Sequence, residues 1–202
     1  AIDEQIETIE ELLENRSWET AVKTITNLQI DYPSYRRQET DTLLYEAYSG
    51  WGVSLLNTEQ IEMGLFYLEQ ARDLGTLPEW IEGEIVFAEL YLEGIVFYRV
   101  NWEAYLYYFR ELCTYAPNFQ NSCKLLNEGL LGYGDQLANS LDWCPAQAIY
   151  LEAAALGNTP DEESLNFKIQ QAETACLSAT PTPETAVISD TLPITNTIPT
   201  NP

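Results

Sequence analysis

The sequence predicts an all-α protein made of about four helical hairpins stacked in a row and a ninth helix that closes the stack. The first observation is an apolar pattern with the spacing i, i+3, i+7, i+10, which marks one face of an α-helix. The second is its recurrence at four places whose starts lie 43, 41 and 41 residues apart. The four copies are Trp18, Ala21, Ile25 and Leu28; Ile61, Gly64, Leu68 and Ala71; Trp102, Tyr105, Phe109 and Leu112; and Trp143, Ala146, Tyr150 and Ala153.

Capping residues and turns divide the chain into nine predicted helices. Ser17, Asn101 and Asp142 each directly precede a Trp, where a side-chain oxygen can accept from the unpaired backbone N–H groups of a first helical turn. The ninth helix is polar and has no partner, so we expect it to cap the stack. The predicted helices are 3–15, 18–32, 37–56, 59–74, 79–99, 102–115, 120–140, 143–156 and 161–178, with turns at Pro33, 75–78, Pro117 and 157–160.

A second register precedes each copy of the pattern and predicts the first helix of each hairpin. Gly52 and Gly134 both lie nine residues before a copy. A glycine inside a helix costs about 1 kcal/mol relative to alanine, so its repetition at one register indicates that two helices approach closely. The other members are Trp51, Leu92 and Tyr133, ten residues before a copy, and Leu12, Leu55, Val96 and Leu137, six residues before.

The combined register, over roughly residues 2–178, resembles the tetratricopeptide repeat (TPR). Ile9 and Glu93 occupy a position that the family reserves for a small residue, and the period is longer than the usual 34 residues. The resemblance implies a right-handed α-solenoid over residues 1–178 that binds protein or peptide ligands on its concave side. The matching signature positions are Gly52, Gly134, Ala21, Tyr150, Ala153, Pro33 and Pro117.

The resemblance also implies a ligand groove formed by the first helix of each hairpin. Its apolar floor and acidic surroundings would suit an extended peptide with apolar side chains and Lys or Arg. The alternative is that these side chains only stack neighbouring repeats, and Phe97 distinguishes the two, since burial against the next repeat would make it a core residue. The implied groove residues are Glu46, Ser49, Val53, Phe87, Leu90, Phe97, Glu128, Leu131 and Asp135.

The densest aromatic run, FYRVNWEAYLYYF at 97–109, contains both packing and contact candidates. Tyr105 and Phe109 follow the apolar pattern and are predicted to be core residues. Tyr107 and Tyr108 lie off that stripe, where an exposed tyrosine can contact a protein or a sugar.

The four cysteines predict two disulfides. Cys113 and Cys123 lie equally far on either side of the Pro117 turn, and Cys144 and Cys176 lie equally far on either side of Pro160. Residues equidistant from the turn of an antiparallel hairpin lie opposite one another, so both pairs can close. Four buried free thiols are the alternative. Disulfides would indicate an oxidising compartment.

Composition argues against enzymatic and nucleic-acid functions. Nine basic and 32 acidic residues give a net charge of −23, and no histidine is present. This charge opposes nucleic acid and anionic membranes, and the chain lacks an apolar run long enough for a membrane span. Motifs for nucleophilic catalysis, phosphate binding, zinc or calcium are absent. We therefore expect no enzyme activity, cofactor or metal, and an enzyme would need a carboxylate pair with raised pKa in a closed pocket.

From residue 179 the sequence becomes a Thr/Pro-rich segment, ATPTPETAVISDTLPITNTIPTNP, which is predicted to be an extended tail or linker. Two alternatives stay open for it: a flexible or glycosylated stalk, or an arm whose alternating apolar residues dock in a groove. The start of the chain, AIDEQIE, has no leader and fits a mature exported product or a shortened chain.

The function predicted from these features is an exported, extracellular or envelope interaction scaffold. Its more specific form is a self-assembling filament or surface subunit, in which the Thr/Pro-rich arm of one copy docks on the next. The alternative is a monomeric peptide- or carbohydrate-binding module of a larger envelope protein.

Overall fold

The computed structural model describes residues 2–157, 159 and 161–179. These residues form an all-α protein, as predicted, with nine α-helices, one 3-10 turn (Phe119–Asn121) and no strand in the described part. The predicted tail lies outside the described residues except for Ala179, the last residue of the ninth helix. The helices are α1 (Ile2–Glu14), α2 (Trp18–Asp31), α3 (Arg37–Leu56), α4 (Ile61–Leu74), α5 (Glu79–Ile95), α6 (Trp102–Tyr115), α7 (Ser122–Asn139), α8 (Trp143–Leu156) and α9 (Glu162–Ala179).

The end of α5 and the start of α7 differ from the prediction, and left-handed residues lie in both connections. α5 ends at Ile95 rather than residue 99, and Arg99 has φ 60° in the turn that leads to α6. α7 begins at Ser122 rather than residue 120, because Gln120 and Asn121 have φ 47° and 55°. A left-handed residue cannot continue a right-handed helix, so α7 starts only after Asn121. α5 ends earlier than Arg99, where the amides of Phe97 and Tyr98 donate to carbonyl oxygens three residues back, both at 3.1 Å.

The recurring apolar pattern forms the interior of the protein. Every member is buried except the three tryptophans Trp18, Trp102 and Trp143, which are half-buried. Helices adjacent in sequence pack against one another, and α3 also contacts α1 and α5. One core cluster joins α1, α2 and the first half of α3, and a second runs from the end of α3 to α9.

The two glycines predicted to allow close helix approach do so. A Cβ placed on Gly52 of α3 would lie 2.5 Å from Leu68 and 2.9 Å from the carbonyl oxygen of Gly64 on α4. A Cβ on Gly134 of α7 would lie 2.5 Å from the ring of Tyr150 on α8. No side chain larger than hydrogen fits at either position without displacing the facing helix.

The first and fourth hairpins use the same turn. Arg16, with φ 55°, follows α1, and the next amide, of Ser17, donates to the carbonyl oxygen of Leu12 at 2.8 Å. This six-to-one hydrogen bond after a left-handed residue is a Schellman motif. The residues in the same geometry in the fourth hairpin are Leu141, Asp142 and Leu137.

This turn also explains why two of the three predicted helix caps are wrong. Asn101 has an extended backbone and its side-chain oxygen accepts from the amide of Ala104 at 3.2 Å. Ser17 and Asp142 make no side-chain cap, and their ψ values of 57° and 66° differ from the extended backbone of a capping residue. Their backbone amides are used by the Schellman turn instead.

Both predicted disulfides are present. Cys113 of α6 is bonded to Cys123 of α7, with the Cα atoms 4.6 Å apart. Cys144 of α8 is bonded to Cys176 of α9, with the Cα atoms 4.8 Å apart. The first closes the α6–α7 connection and the second attaches the last helix, so the alternative of four free thiols is excluded.

Candidate functional site

A cleft of about 530 Å³ with a mainly apolar lining lies beside the predicted groove, between the first and third hairpins. It forms where three parts of the chain meet: the α1–α2 turn, the second half of α3 and the first turn of α5. The lining residues are Arg16, Trp18, Ser49, Gly50, Val53, Ser54, Asn57, Trp80 and Ile81.

The α4–α5 connection explains why a cleft opens here. Gly75 ends α4 with an extended backbone, and Pro78 starts α5 with φ −62° and ψ 150°. The connection is held in place by buried Leu77 and by the hydroxyl of Tyr45, which donates to the carbonyl oxygen of Thr76 at 2.8 Å. As a result α4 and α5 pack against one another much less than α2 and α3 or α6 and α7 do.

Two tryptophans dominate the lining of this cleft. Trp18 is half-buried, and its ring lies so close to α3 that a Cβ on Gly50 would come within 2.7 Å of it. Trp80 is 61% exposed, whereas tryptophan side chains in folded proteins are mostly buried. Apolar Val53 and Ile81 lie in the same lining. The cleft therefore offers aromatic and aliphatic surface to a ligand.

Arg16 supplies a positive charge at this cleft. Within the described residues it forms no salt bridge, whereas Arg36, Arg37, Arg72 and Arg110 are all paired with carboxylates. Its side chain is exposed in a chain with a net charge of −23. An unpaired guanidinium beside an aromatic surface can bind a carboxylate or another anionic group.

A second pocket of about 300 Å³ adjoins the first, and Asn57 lines both. It lies between α5 and the α6–α7 connection, which the Cys113–Cys123 disulfide closes. We call the two pockets together the Trp18–Phe87 cleft. The lining residues of the second pocket are Asn57, Glu84, Phe87, Tyr115, Ala116, Pro117, Asn118 and Phe119.

Three of the nine predicted groove residues line this cleft. Val53 and Ser49 lie in the first pocket, where the Ser49 hydroxyl donates to the carbonyl oxygen of Tyr45 at 2.7 Å. Phe87 lies in the second, with its ring centroid 6.4 Å from that of Phe119.

The other six predicted groove residues lie outside the cleft. Asp135 accepts hydrogen bonds from Tyr150 at 2.7 Å and from Lys168 at 2.6 Å, so it joins three helices. Phe97 is half-buried and stacks on Tyr108 with the ring centroids 6.0 Å apart, a contact between the α5–α6 connection and α6. Of the remaining four, Leu90 and Leu131 pack half-buried against the core, Glu128 lies 3.9 Å from Lys124, and Glu46 is exposed.

The two tyrosines predicted as contact residues differ in exposure. Tyr107 is 63% exposed, while Tyr108 is half-buried under Phe97. Neither lines the Trp18–Phe87 cleft.

Sequence reasoning did not single out Arg16 or Trp80 as site residues. Trp80 stands between acidic residues at the start of α5 and outside the recurring pattern, and that isolation is the signal that could have found it. Arg16 could have been suspected only from its place in the turn before Trp18. Trp18 was read as a core residue, and it is also a wall of the cleft.

Two buried tyrosines in the core near the predicted groove, Tyr105 and Tyr150, have pKa values raised well above that of a free tyrosine. Burial raises the pKa of Tyr105, whose hydroxyl donates to the carbonyl oxygen of Leu125 at 3.1 Å. Burial is also the main reason that the pKa of Tyr150 is raised, and the hydrogen bond from its hydroxyl to Asp135 is the second. Both hydroxyls stay neutral at physiological pH and act as structural donors.

The described residues contain no group of three His, Cys, Asp or Glu side chains able to hold a metal ion. In the same part of the chain, the helices are all too short or too polar to cross a bilayer. Comparison with known protein families, curated proteins and solved structures gives no significant match to this chain.

Proposed function

We propose that this chain is a non-enzymatic interaction protein with a TPR-like solenoid scaffold, and that the Trp18–Phe87 cleft holds an extended peptide. The scaffold part of the proposal is supported by the 43-, 41- and 41-residue spacing of the buried pattern. The identical turns of the first and fourth hairpins support it as well. Stacked hairpins expose long continuous surfaces, and such surfaces are commonly used to bind other proteins.

The observation that carries the binding proposal is the exposed indole of Trp80 in a cleft already lined by Trp18. Tryptophan is the residue type most enriched at binding hot spots, because one ring contributes a large apolar area with little conformational entropy to lose. The protein keeps 61% of Trp80 in water when unliganded. A ligand that covers the ring removes this apolar surface from water, and that burial stabilises the complex.

The ligand chemistry follows from the lining. Apolar or proline side chains fit against the two indoles and the ring of Phe87, as in aromatic grooves that recognise extended peptides. An acidic group fits beside Arg16, and a donor fits beside Glu84. A peptide is favoured over a sugar because Ser49 and Asn57 already donate to backbone carbonyl oxygens, which leaves few polar groups for the many hydroxyls of a carbohydrate.

An exported location is part of the proposal. The two disulfides support it, because such bonds persist in oxidising compartments.

The test is selection from a phage-displayed library of random dodecapeptides on the full chain. We expect enrichment of apolar, proline-containing peptides, and loss of that enrichment for Trp80→Ala. The matched control is Phe167→Ala on α9, which removes a ring that is 67% exposed but outside the cleft. Enrichment that is absent, or equal for Trp80→Ala and the parent chain, would contradict the proposal.

A further inference from the structure

We propose that Asn15 is an acceptor for N-linked glycosylation, which places a modification site in the turn that joins α1 to α2. Asn15, Arg16 and Ser17 form the motif Asn-x-Ser, in which the middle residue is not proline. Asn15 is the only asparagine of the chain that has Ser or Thr two positions later. The inference rests on the exported location within the proposed function, because the transferase that recognises this motif acts on chains that enter the secretory pathway.

The acceptor side chain is exposed in the folded protein. Asn15 directly follows the last residue of α1, and its side-chain nitrogen donates to the carbonyl oxygen of Glu11 at 2.8 Å. An asparagine amide has two N–H donors. The nitrogen can therefore carry a sugar and still donate to Glu11 through its other N–H. A bulky, hydrated oligosaccharide fits at such a surface position.

The turn does not depend on either side chain that the transferase needs. The hydroxyl of Ser17 makes no side-chain cap for α2. Backbone groups close the turn instead: Arg16 has φ 55°, and the amide of Ser17 donates to the carbonyl oxygen of Leu12 at 2.8 Å. The same turn in the fourth hairpin has Ser140 and Asp142 at the two positions of the motif. The asparagine and the hydroxyl are therefore free to serve as acceptor and recognition group.

The reaction joins the side-chain nitrogen of Asn15 to the anomeric carbon of an oligosaccharide that is carried on a lipid diphosphate. The carbon–nitrogen bond forms as the bond from that carbon to the phosphate oxygen breaks, and the lipid diphosphate leaves with the electron pair. The nitrogen gives one proton to a base of the transferase, and nothing is oxidised or reduced. Ser17 supplies the hydroxyl that the motif requires.

The modified residue is next to the proposed binding site in the sequence. Arg16, the middle residue of the motif, and Trp18, the residue after it, both line the first pocket. Asn15 lines neither pocket of the Trp18–Phe87 cleft. The oligosaccharide is therefore attached one residue away from the cleft lining.

The test uses the full chain, secreted from cultured mammalian cells behind a cleavable leader. Its intact mass is measured before and after treatment with an amidase that removes only N-linked sugars, so O-linked sugars on the Thr/Pro-rich segment do not contribute. Ser17→Thr keeps the motif, and Ser17→Ala removes only the hydroxyl. Because Ser17 makes no cap, Ser17→Ala should keep the urea midpoint of the parent chain.

We expect the parent and Ser17→Thr to lose the mass of one oligosaccharide on treatment, with an aspartate, the product of the amidase, at position 15 in the peptide map. Ser17→Ala should carry no N-linked sugar. A parent chain whose mass the amidase does not change would overturn the inference, and so would N-linked sugar retained in Ser17→Ala. If the inference fails while peptide selection still depends on Trp80, the proposed binding function stands and only the modification site is wrong.

Discussion

Gln120 donates its side-chain amide to the carbonyl oxygen of Leu56 at 2.9 Å and so joins two turns that are 64 residues apart in sequence. The same nitrogen lies 2.9 Å from the carbonyl oxygen of Thr58. Between these two residues is Asn57, which lines both pockets of the Trp18–Phe87 cleft. The hydrogen bonds of one side chain therefore hold the α3–α4 turn and the α6–α7 connection at a fixed separation where the pockets meet.

The first prediction concerns this link. Gln120→Met keeps the length of the side chain but removes the donor, so the free energy of unfolding should fall by about 1 kcal/mol. Affinity for peptides selected on the cleft should fall with it, because the two walls lose their connection. Urea denaturation and peptide titration measure the two effects. Gln171→Met, at an exposed position of α9, is the control, and equal effects of the two substitutions would contradict the prediction.

The second prediction concerns the contacts between tryptophans and glycines that recur in the fold. A Cβ on Gly132 would lie 2.7 Å from the ring of Trp102, as a Cβ on Gly50 would from Trp18. Gly132→Ala should lower the free energy of unfolding by about 1–3 kcal/mol, because the ring or the helix must move. The control is Gly83→Ala, which has no neighbour within 4 Å and should be neutral or stabilising. Equal stabilities of the two variants in urea would refute the close packing.

The third prediction concerns the disulfides. Replacing Cys144 and Cys176 by Ser opens a loop with a sequence separation of 32 and should cost about 3 kcal/mol. The remaining Cys113–Cys123 bond should keep the double variant sensitive to reductant, with a further loss of similar size. Thermal denaturation with and without reductant measures both steps. A parent protein whose stability is the same in both conditions would be inconsistent with disulfides that stabilise the fold.

The fourth prediction concerns stability at high pH. Burial raises the pKa of Tyr105 above that of an unfolded tyrosine, near 10. Between those two values unfolding releases a proton, so the stability that neutral Tyr105 provides is complete below pH about 10 and decreases as the pH rises further. Tyr105→Phe should lower stability at neutral pH, since the bond to Leu125 is lost, and should flatten the alkaline decrease by up to about 1.4 kcal/mol per pH unit.

Urea denaturation from neutral to alkaline pH measures this slope. Tyr107→Phe is the matched control, because Tyr107 is 63% exposed in the same helix. The slope should be unchanged in the control, and an unchanged slope in Tyr105→Phe would show that Tyr105 is not the group responsible.

The fifth prediction separates a structural role from a binding role at Asp135. This residue was implied as a groove contact, but its carboxylate is held by Tyr150 and Lys168. Asp135→Ala should lower the free energy of unfolding by about 1 kcal/mol, a value reduced by the partial exposure of the pair. Affinity for selected peptides should not change. A loss of affinity without a loss of stability would show that Asp135 contacts the peptide, and it would contradict the structural role.

The sequence predicts the helices well, because the apolar spacing that marks a helical face can be identified within a single short segment. The second helix, for example, is predicted at 18–32 and found at Trp18–Asp31. The close helix approach at Gly52 and Gly134 follows from their repetition at one register. The cysteine pairs follow because antiparallel hairpins place residues at equal distances from a turn opposite one another. Helix starts such as Ser122 are harder, because a left-handed residue such as Gln120 leaves no compositional trace.

The cleft could not be predicted from periodicity. Trp80 becomes a binding candidate only because the Gly75–Pro78 connection directs α5 away from α4, and that direction depends on backbone angles rather than on spacing. Periodicity gives the face on which Asp135 lies but not its partners. The hydrogen bond from Tyr150 arises from the contact between α7 and α8, which the register alone does not specify.

The most direct test of the proposed binding site is fluorine NMR of the full chain containing 5-fluorotryptophan, titrated with a synthetic peptide enriched in the selection. The chain has five tryptophans, and single Trp→Phe variants assign their resonances. The account predicts that the resonances of Trp18 and Trp80 shift on saturation, while that of Trp51, which stacks on Tyr67, does not. Saturable binding that leaves Trp18 and Trp80 unchanged would contradict it.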